Sequence, residues 1–398
     1  MRIGMMTDAY KPYVSGITNY IELNKRHLER AGHDVFVFTF GDADQRDEEP
    51  RVIRSNGLPI QDSGFFLSFR YNREAKHLLQ TMDVIHVHHP LLSGRLALRY
   101  SRPLQIPVIF TNHTRYDLYA QAYLPMMPEE ISDGIFKAYM PSFCKAVDLV
   151  ISPSKGMEKI LRHIGVESPI EVVPNGVELG RFLNAQPLQR ADFGFDADDV
   201  LLIYVGRLGP EKNLNFLLRA FNGVAQAFDK VHLLILGDGP SRADLEIYAS
   251  ELGLSGRVCF EGMIPYDRLP AYLAMSDAFV TASVTEVHPL SVIEAMGSGL
   301  PVLGIESPGV GDIVADGVTG YLTQEDSATF AVKMTRLITE HDLRKKMGAA
   351  AREESTIYAI ERTTRIMLRY YERLVSEARP RHRGLRFRLQ SFLEQFNQ

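Results

Sequence analysis

The stretch that decides the fold is Thr285-Glu286-Val287-His288-Pro289-Leu290-Ser291-Val292-Ile293-Glu294-Ala295-Met296-Gly297-Ser298-Gly299-Leu300-Pro301-Val302. Two glutamates stand eight positions apart. A turn-like segment through Pro289 leads into an apolar helical run. Glycines at 297 and 299 stop that run, and an apolar strand begins beyond Pro301. Loop, helix start and strand in this order form the repeating unit of an α/β domain. There the loop and the helix amino terminus face a bound anion, and a parallel sheet lies behind them.

Working outward, the chain has 398 residues, which suggests two domains at roughly 100–200 residues each. It is 45% hydrophobic and 23% charged, the balance of a soluble globular protein with sizeable cores. A net charge of −5 argues against general nucleic-acid binding. The two cysteines, Cys144 and Cys259, each lie in an apolar run, so buried thiols in a reducing compartment are expected rather than a disulfide. The amino terminus turns polar too soon for a signal peptide, and no apolar run reaches the ~18 residues of a membrane span. These features point to a cytoplasmic protein.

The first half alternates the periods of strand and helix. Ile3–Thr7 reads as a buried strand, 8–16 as a loop, Thr18–Ala31 as a helix ended by Gly32, and Val35–Phe40 as the next strand. Gly16, just before the helix, would let a phosphate or sugar approach the backbone; a simple turn glycine is the alternative. Val84–Val87 runs into His88 and His89. His86 and His88 share one face, but no carboxylate at ligand spacing accompanies them, so a polar strand end is expected and not a metal site. Val108–Thr111 is followed by Asn112-His113-Thr114-Arg115. Because ligands of open parallel sheets bind at the carboxyl ends of strands, His113 is the histidine best placed for chemistry. Residues 117–143 are rich in Tyr, Met and Phe, including Tyr119, Tyr123, Met126 and Met127. Prolines at 125 and 128 interrupt any helix there. The polar segment 178–199 reads as the linker.

In the second half, Val200–Gly206 is a strand leading into Arg207-Leu208-Gly209-Pro210-Glu211-Lys212-Asn213 and a helix over 214–228. A glycine-flanked loop at a helix amino terminus, carrying Arg207 and Lys212, suits a diphosphate neutralised without a metal. Gly237-Asp238-Gly239-Pro240 follows the next strand. A nucleotide sugar carries two diols with a diphosphate between, and an ionised carboxylate accepts two hydrogen bonds from one diol. Glu294 suits the ribose and Glu286 the sugar. The backbone around Leu290 and Ser291 faces what lies between. Two solvated glutamates on a surface helix are the alternative, and the apolar, small-residue surroundings disfavour it.

These residues together resemble a known family. Glu286 to Glu294 with the trailing Ala-Met-Gly-Ser-Gly-Leu-Pro is similar to the paired-glutamate signature of the retaining family-4 glycosyltransferases. Gly206-Arg207 with Lys212, Gly237-Asp238-Gly239-Pro240 and Pro174-Asn175-Gly176-Val177 resemble three further motifs, in the family's order. The resemblance implies an α/β fold of two facing doubly wound, Rossmann-like domains, the GT-B architecture, with the donor site in the interdomain cleft. The expected domains are 1–180 on the acceptor side, 181–356 for the nucleotide sugar, and 357–398 as a helix crossing back with a basic tail. It also implies roles. Gly16 admits the donor, His113 lies near the donor sugar, Arg207 and Lys212 bind the diphosphate, and Glu286 and Glu294 hold sugar and ribose. Transfer retains configuration by front-face attack, with no metal and no other cofactor. Two departures stand out. Pro289 lacks an N–H where the family keeps backbone donors, so His288 is expected to supply a side-chain donor. Ser15-Gly16 also has a single glycine where a pair is common.

The carboxyl-terminal region bears on the acceptor. Tyr358–Val375 reads as a helix. Beyond it stand Arg379, Arg381, Arg383, Arg386 and Arg388, with Leu385, Leu389, Phe392, Leu393 and Phe396 on one helical face. Such an element would attract anionic lipid head groups at about 1 kcal/mol per basic group, or pack on protein. The chain resembles more loosely the diacylglycerol glucosyltransferases. The expectation is therefore a hexose moved from UDP-glucose to a lipid at the inner face of the membrane. The competing expectations are GDP-mannose or a soluble or polysaccharide acceptor, a nucleotide-sugar epimerase, and a non-catalytic sugar-nucleotide-binding protein. An epimerase would need paired acid and base groups at the sugar, where only His113 is well placed.

Overall fold

Runs of Val, Ile, Leu and Phe too continuous for a half-exposed sheet become the middle strands of two parallel sheets. The computed structural model describes residues 1–42, 47–60, 65–116 and 129–378. Residues 117–128, part of the stretch rich in Tyr and Met, and the arginine-rich residues 379–398 lie outside them. The chain divides into two compact units. One comprises Met1–Pro153, Ile160–Val173 and the chain from Thr364; the other comprises Ser154–Lys159 and Pro174–Thr363. The main passage between them falls at Val173–Pro174. The segment 178–199, expected as the linker, therefore belongs to the second unit, where Phe182 and Phe195 are buried in its core. It shows no period because it is built of short turns, Gly180–Leu183 and Arg190–Phe193.

The strands of the first unit are β1 (Arg2–Met6), β2 (Asp34–Gly41), β3 (Val52–Asn56), β4 (Leu58–Pro59), β5 (Phe66–Leu67), β6 (Val84–Val87), β7 (Val108–Thr111), β8 (Leu149–Ser152) and β9 (Ile170–Val172). Seven form a parallel sheet in the order β3-β2-β1-β6-β7-β8-β9, and β4 with β5 makes a separate antiparallel ribbon. The strand order reverses between β1 and β6, so the loops after them flank the switch point where such sheets bind ligands. Helix α1 (Gly16–Arg30) begins at that end. Ser15 caps it: its Oγ accepts from Thr18 N at 3.2 Å, while Ser15 N donates to Thr18 Oγ1 at 2.8 Å. A cap of this kind is worth about 1 kcal/mol. Gly16 is thus the first helical residue, and a Cβ there would meet nothing within 4 Å.

The second unit has β10 (Val200–Val205), β11 (Val231–Leu236), β12 (Val258–Gly262), β13 (Ala278–Thr281), β14 (Val302–Ile305) and β15 (Gly320–Thr323), all parallel, in the order β12-β11-β10-β13-β14-β15. Alternate residues go to opposite faces. Leu202, Tyr204, Leu233 and Ile235 pack in one core, and Leu201, Ile203, Leu234 and Leu236 in the other. Each fully buried side chain of this size contributes about 1.5–3 kcal/mol, and β10 is buried on both faces. The order reverses between β10 and β13. The two stretches singled out in the sequence are the loops after those two strands. They lead into α2 (Leu214–Ala225) and α3 (Leu290–Gly297). Helix α4 (Ile360–Glu377) starts in the second unit and, from Thr364, belongs to the first, where Met367 and Tyr371 enter the core. Among the described residues, no helix is long and apolar enough to cross a membrane. Both cysteines are free; Cys144 is buried, and Cys259 on β12 is only half-buried, with Sγ 3.2 Å from Glu261 Oε1.

Candidate functional site

Three backbone hydrogen bonds tie the loop after β10 to the turn after β11 and to the strand before it. Gly206 N donates to Leu236 O, Leu208 N to Asp238 O and Ser241 N to Leu208 O, at 2.9–3.0 Å. The glycine turn after β11 makes this possible. Gly237 has φ +139°, and a Cβ on it would lie 1.9 Å from Gly206 O; a Cβ on Gly239 would lie 2.5 Å from Leu208 O. Backbone cannot yield at such distances, so both positions require glycine. The motif Gly237-Asp238-Gly239-Pro240 is therefore the support of the Arg207–Lys212 loop.

That loop places two cations. Lys212 Nζ is 2.6 Å from Glu286 Oε1, with both side chains about one-fifth exposed. The pair joins the loop after β10 to the loop after β13 across 74 residues of chain. Arg207 instead pairs with Glu211 Oε1 at 3.1 Å, and its side chain is 56% exposed. Such an exposed pair holds the guanidinium weakly, which leaves it available to an incoming anion. Asn213 follows in the left-handed region at φ 53°, which turns the chain into α2. Thr285 Oγ1 donates to Glu211 O at 3.4 Å, a second tie between the two loops. Gly309 supports Glu286 from behind: a Cβ there would lie 2.5 Å from Glu286 O.

Glu294 is placed differently. It sits on α3, 4% exposed, and accepts a hydrogen bond from the Tyr266 hydroxyl at 2.7 Å. Burial pushes its carboxyl up to about 7, and the tyrosine bond only partly opposes that. Pro289 is the residue before α3, so its missing N–H removes nothing from the helix. The first helical N–H groups, those of Leu290, Ser291 and Val292, precede the internal ladder and have no acceptor within the helix. His288 differs from the expectation of a side-chain donor replacing Pro289. Its ring is buried edge-on against Tyr358 at 5.3 Å, burial lowers it to about 3, and Nδ1 has no partner among the described residues. What His288 supplies is its carbonyl, which accepts from Asn175 Nδ2 at 3.0 Å. The Pro174-Asn175-Gly176 motif thereby anchors the loop. Sequence reading missed Tyr204, whose hydroxyl donates to Arg207 O at 3.2 Å, Glu211, the partner of Arg207, and Tyr266 and Gly309, whose parts depend on neighbours distant in the chain. Asp196, Asp198 and Asp199 lie close enough to share a cation, but at the amino end of β10, opposite the loops described.

In the first unit, strand β6 and the loops after β6 and β7 bring four histidines together. His86 Nδ1 lies 2.7 Å from the Tyr371 hydroxyl and Nε2 lies 2.6 Å from Thr111 Oγ1. His88 Nδ1 lies 3.1 Å from His113 Nε2. Tyr20 on α1 packs edge-on against His113 at 4.7 Å. His89 Nδ1 accepts from Asp8 N at 3.2 Å. Desolvation lowers the pKa of all four, so these rings are neutral. His86 and His88 do share a polar strand end, as their spacing suggested.

The comparisons agree with this architecture. Residues 14–181 match the model described as Glycosyltransferase Family 4, and residues 185–354 the model Glycosyl transferases group 1. The chain is 33% identical over 363 residues to the alpha-monoglucosyldiacylglycerol synthase of Streptococcus pneumoniae, covering 87% of this chain and 82% of the relative. The chain belongs to the family-4 glycosyltransferases. Its fold is that of sucrose-phosphate synthase from Thermosynechococcus elongatus (TM-score 0.76, 22% identity, 94% of this chain and 99% of that one). It is also that of Anabaena Alr3699/HepE, solved in complex with UDP-glucose (TM-score 0.72, 17% identity, 94% and 100%). As a glycosyltransferase of this family, the chain has the GT-B fold of two Rossmann-like sheets.

Proposed function

We propose that this glycosyltransferase moves glucose from UDP-glucose to a lipid of the diacylglycerol type, with retention of configuration and without a metal. The observation that carries the donor half is the Lys212–Glu286 pair at 2.6 Å beside the loosely held Arg207. In this reading a donor diphosphate draws Arg207 and Lys212 to itself and frees Glu286 to accept from the sugar hydroxyls. Glu294 takes the ribose, and the N–H groups of Leu290 and Ser291 face the phosphates. Two cations and a helix amino terminus neutralise the leaving diphosphate, the task that a divalent ion performs elsewhere. Gly16 and His113 are assigned to the donor side of the first unit. The leaving phosphate takes the acceptor proton.

The lipid half is supported by the relative named above and by a surface of the first unit. In the β4–β5 ribbon Leu58 pairs with Leu67, and alternate residues share a face. One face thus presents Leu58, Ile60, Leu67 and Phe69, with Leu58 and Phe69 72% and 70% exposed, while Ser68 on the other face is buried. Exposed Arg70 and Arg73 follow directly. An apolar face with a basic border suits an anionic bilayer surface from which a lipid acceptor is drawn. The protein is then peripheral at the inner face of the membrane.

The test incubates the protein with radiolabelled UDP-glucose or GDP-mannose, diacylglycerol in anionic vesicles, and a chelator. Label from UDP-glucose in the organic phase is expected. Label only in water-soluble product refutes the lipid acceptor, preference for GDP-mannose refutes the donor, and activity lost to chelator refutes metal independence. Leu58→Ser with Phe69→Ser, and separately truncation after Ala378, should each weaken vesicle binding at low salt.

A further inference from the structure

The neutral histidines of the first unit differ in where their protons sit, and hydrogen bonding decides it. His88 has one ring nitrogen paired, Nδ1 with His113 Nε2 at 3.1 Å. Its other nitrogen, Nε2, is buried and has no partner among the described residues. A neutral imidazole carries one N–H and one bare nitrogen. A buried N–H without an acceptor forfeits a hydrogen bond that the paired position would make, whereas a bare ring nitrogen in apolar surroundings withholds only an acceptor site. The His88 proton therefore belongs on Nδ1, where it is donated to His113. His113 Nε2 is then the acceptor, and the proton of His113 is on Nδ1, the nitrogen turned away from His88.

We propose that His88 is a positioning residue that holds His113 in the Nδ1–H tautomer, so that His113 offers the substrate a hydrogen-bond donor and not a base. Burial keeps both rings uncharged, with His86 and His113 adding to the effect on His88. The surroundings hold this arrangement in place. The His88 ring lies tilted against His86 at 4.2 Å, and His86 is bound at both nitrogens by Tyr371 and Thr111. Tyr20 closes over His88 and His113 together, at 5.7 and 4.7 Å. His89, next in sequence, shows the opposite outcome: the Asp8 N–H occupies its Nδ1, so its proton is on Nε2. Adjacent histidines thus carry opposite tautomers because different partners claim the same ring atom. For the reaction this means that the acceptor proton does not go to His113 Nδ1. The consequence for catalysis rests on the assignment of His113 to the donor sugar; the tautomer itself does not.

The test is a two-bond 1H–15N correlation on histidine-labelled protein, with the His113 signal assigned by its loss in His113→Asn. A protonated-type Nδ1 and a bare-type Nε2 are expected for His113. The reverse pattern overturns the proposal. In parallel, His88→Asn keeps an amide donor at the place of Nδ1 and should preserve both the pattern and kcat within about 3-fold. His88→Leu should release the tautomer and lower kcat about 10-fold or more, with the donor KM changed less. If His88→Leu does not fold, the spectrum and His88→Asn decide. An unchanged tautomer and kcat in a folded His88→Leu would refute the positioning role. Full activity in His113→Asn would instead remove His113 from the reaction, leaving the tautomer result standing.

Discussion

The loops at the carboxyl ends of the two sheets are built from opposite materials. In the second unit they carry charge: Arg207, Glu211, Lys212 and Glu286 are drawn into two ion pairs, 3.1 and 2.6 Å long, at the mouth of β10 and β13. In the first unit the end of β6 and the loops after β6 and β7 carry four histidines from which burial has removed the charge. One sheet therefore presents paired charged groups, and the other presents neutral dipoles. In the proposed reading, recognition of the anionic leaving group belongs to the second unit, and the first unit orients what it touches.

The strongest attack on this contrast is Lys212→Ala. It removes a cation and leaves Glu286 without its partner, so kcat should fall by about 100- to 1000-fold with the circular dichroism unchanged. Turnover near wild type would remove the charge assignment altogether. Gly237→Ala comes next. With a backbone oxygen 1.9 Å from the new Cβ, the Arg207–Lys212 loop must shift. Loss of donor binding by at least about 10-fold, together with a lower Tm, is expected in calorimetry and equilibrium binding.

Glu294 sharpens the contrast through pH. Its carboxyl is pushed up to about 7 in the fold against an ordinary 4.5. Folding therefore favours the protonated form, and the associated stability is full below 4.5 and lost as pH rises through about 7. Glu294→Gln keeps an acceptor for Tyr266 and removes that loss. It should raise Tm at pH 8, by up to roughly 3 kcal/mol of stability, and leave it unchanged near pH 4.5. A diol is held by the ionised form, so donor KM in the native protein should rise as pH falls below about 7. The same profile in Glu294→Gln should be flat and weaker. A bend that persists in Glu294→Gln would point to a histidine of the first unit and break the comparison. The smallest effect is Tyr266→Phe, which removes the hydrogen bond from the Tyr266 hydroxyl to that carboxylate. It should raise donor KM by a few-fold, measured at pH 8.

Much of this was legible in the chain. Alternation of apolar strand and helix, with glycine and proline at the joints, implies parallel sheets because each strand is buried on both faces and each crossover is a helix. The stretch around Glu286–Glu294 and the Arg207–Lys212 loop could be picked out because helix starts and glycine turns are local in sequence. The short strand β3 and the β4–β5 ribbon were not legible, since runs of two to five residues carry too little period. Nor was the placement of 178–199, whose short turns look like a linker until Phe182 and Phe195 are seen in the core.

By itself, then, the sequence determined the fold, the family and the side chains at the strand ends. All of these rest on local pattern and on residue chemistry. Only the tertiary structure decided how those side chains are poised. Lys212 faces Glu286, Tyr266 reaches Glu294, His288 turns into the core, and His88 meets His113. Each of these facts depends on burial and on a partner brought from elsewhere in the chain, and no window of sequence contains both.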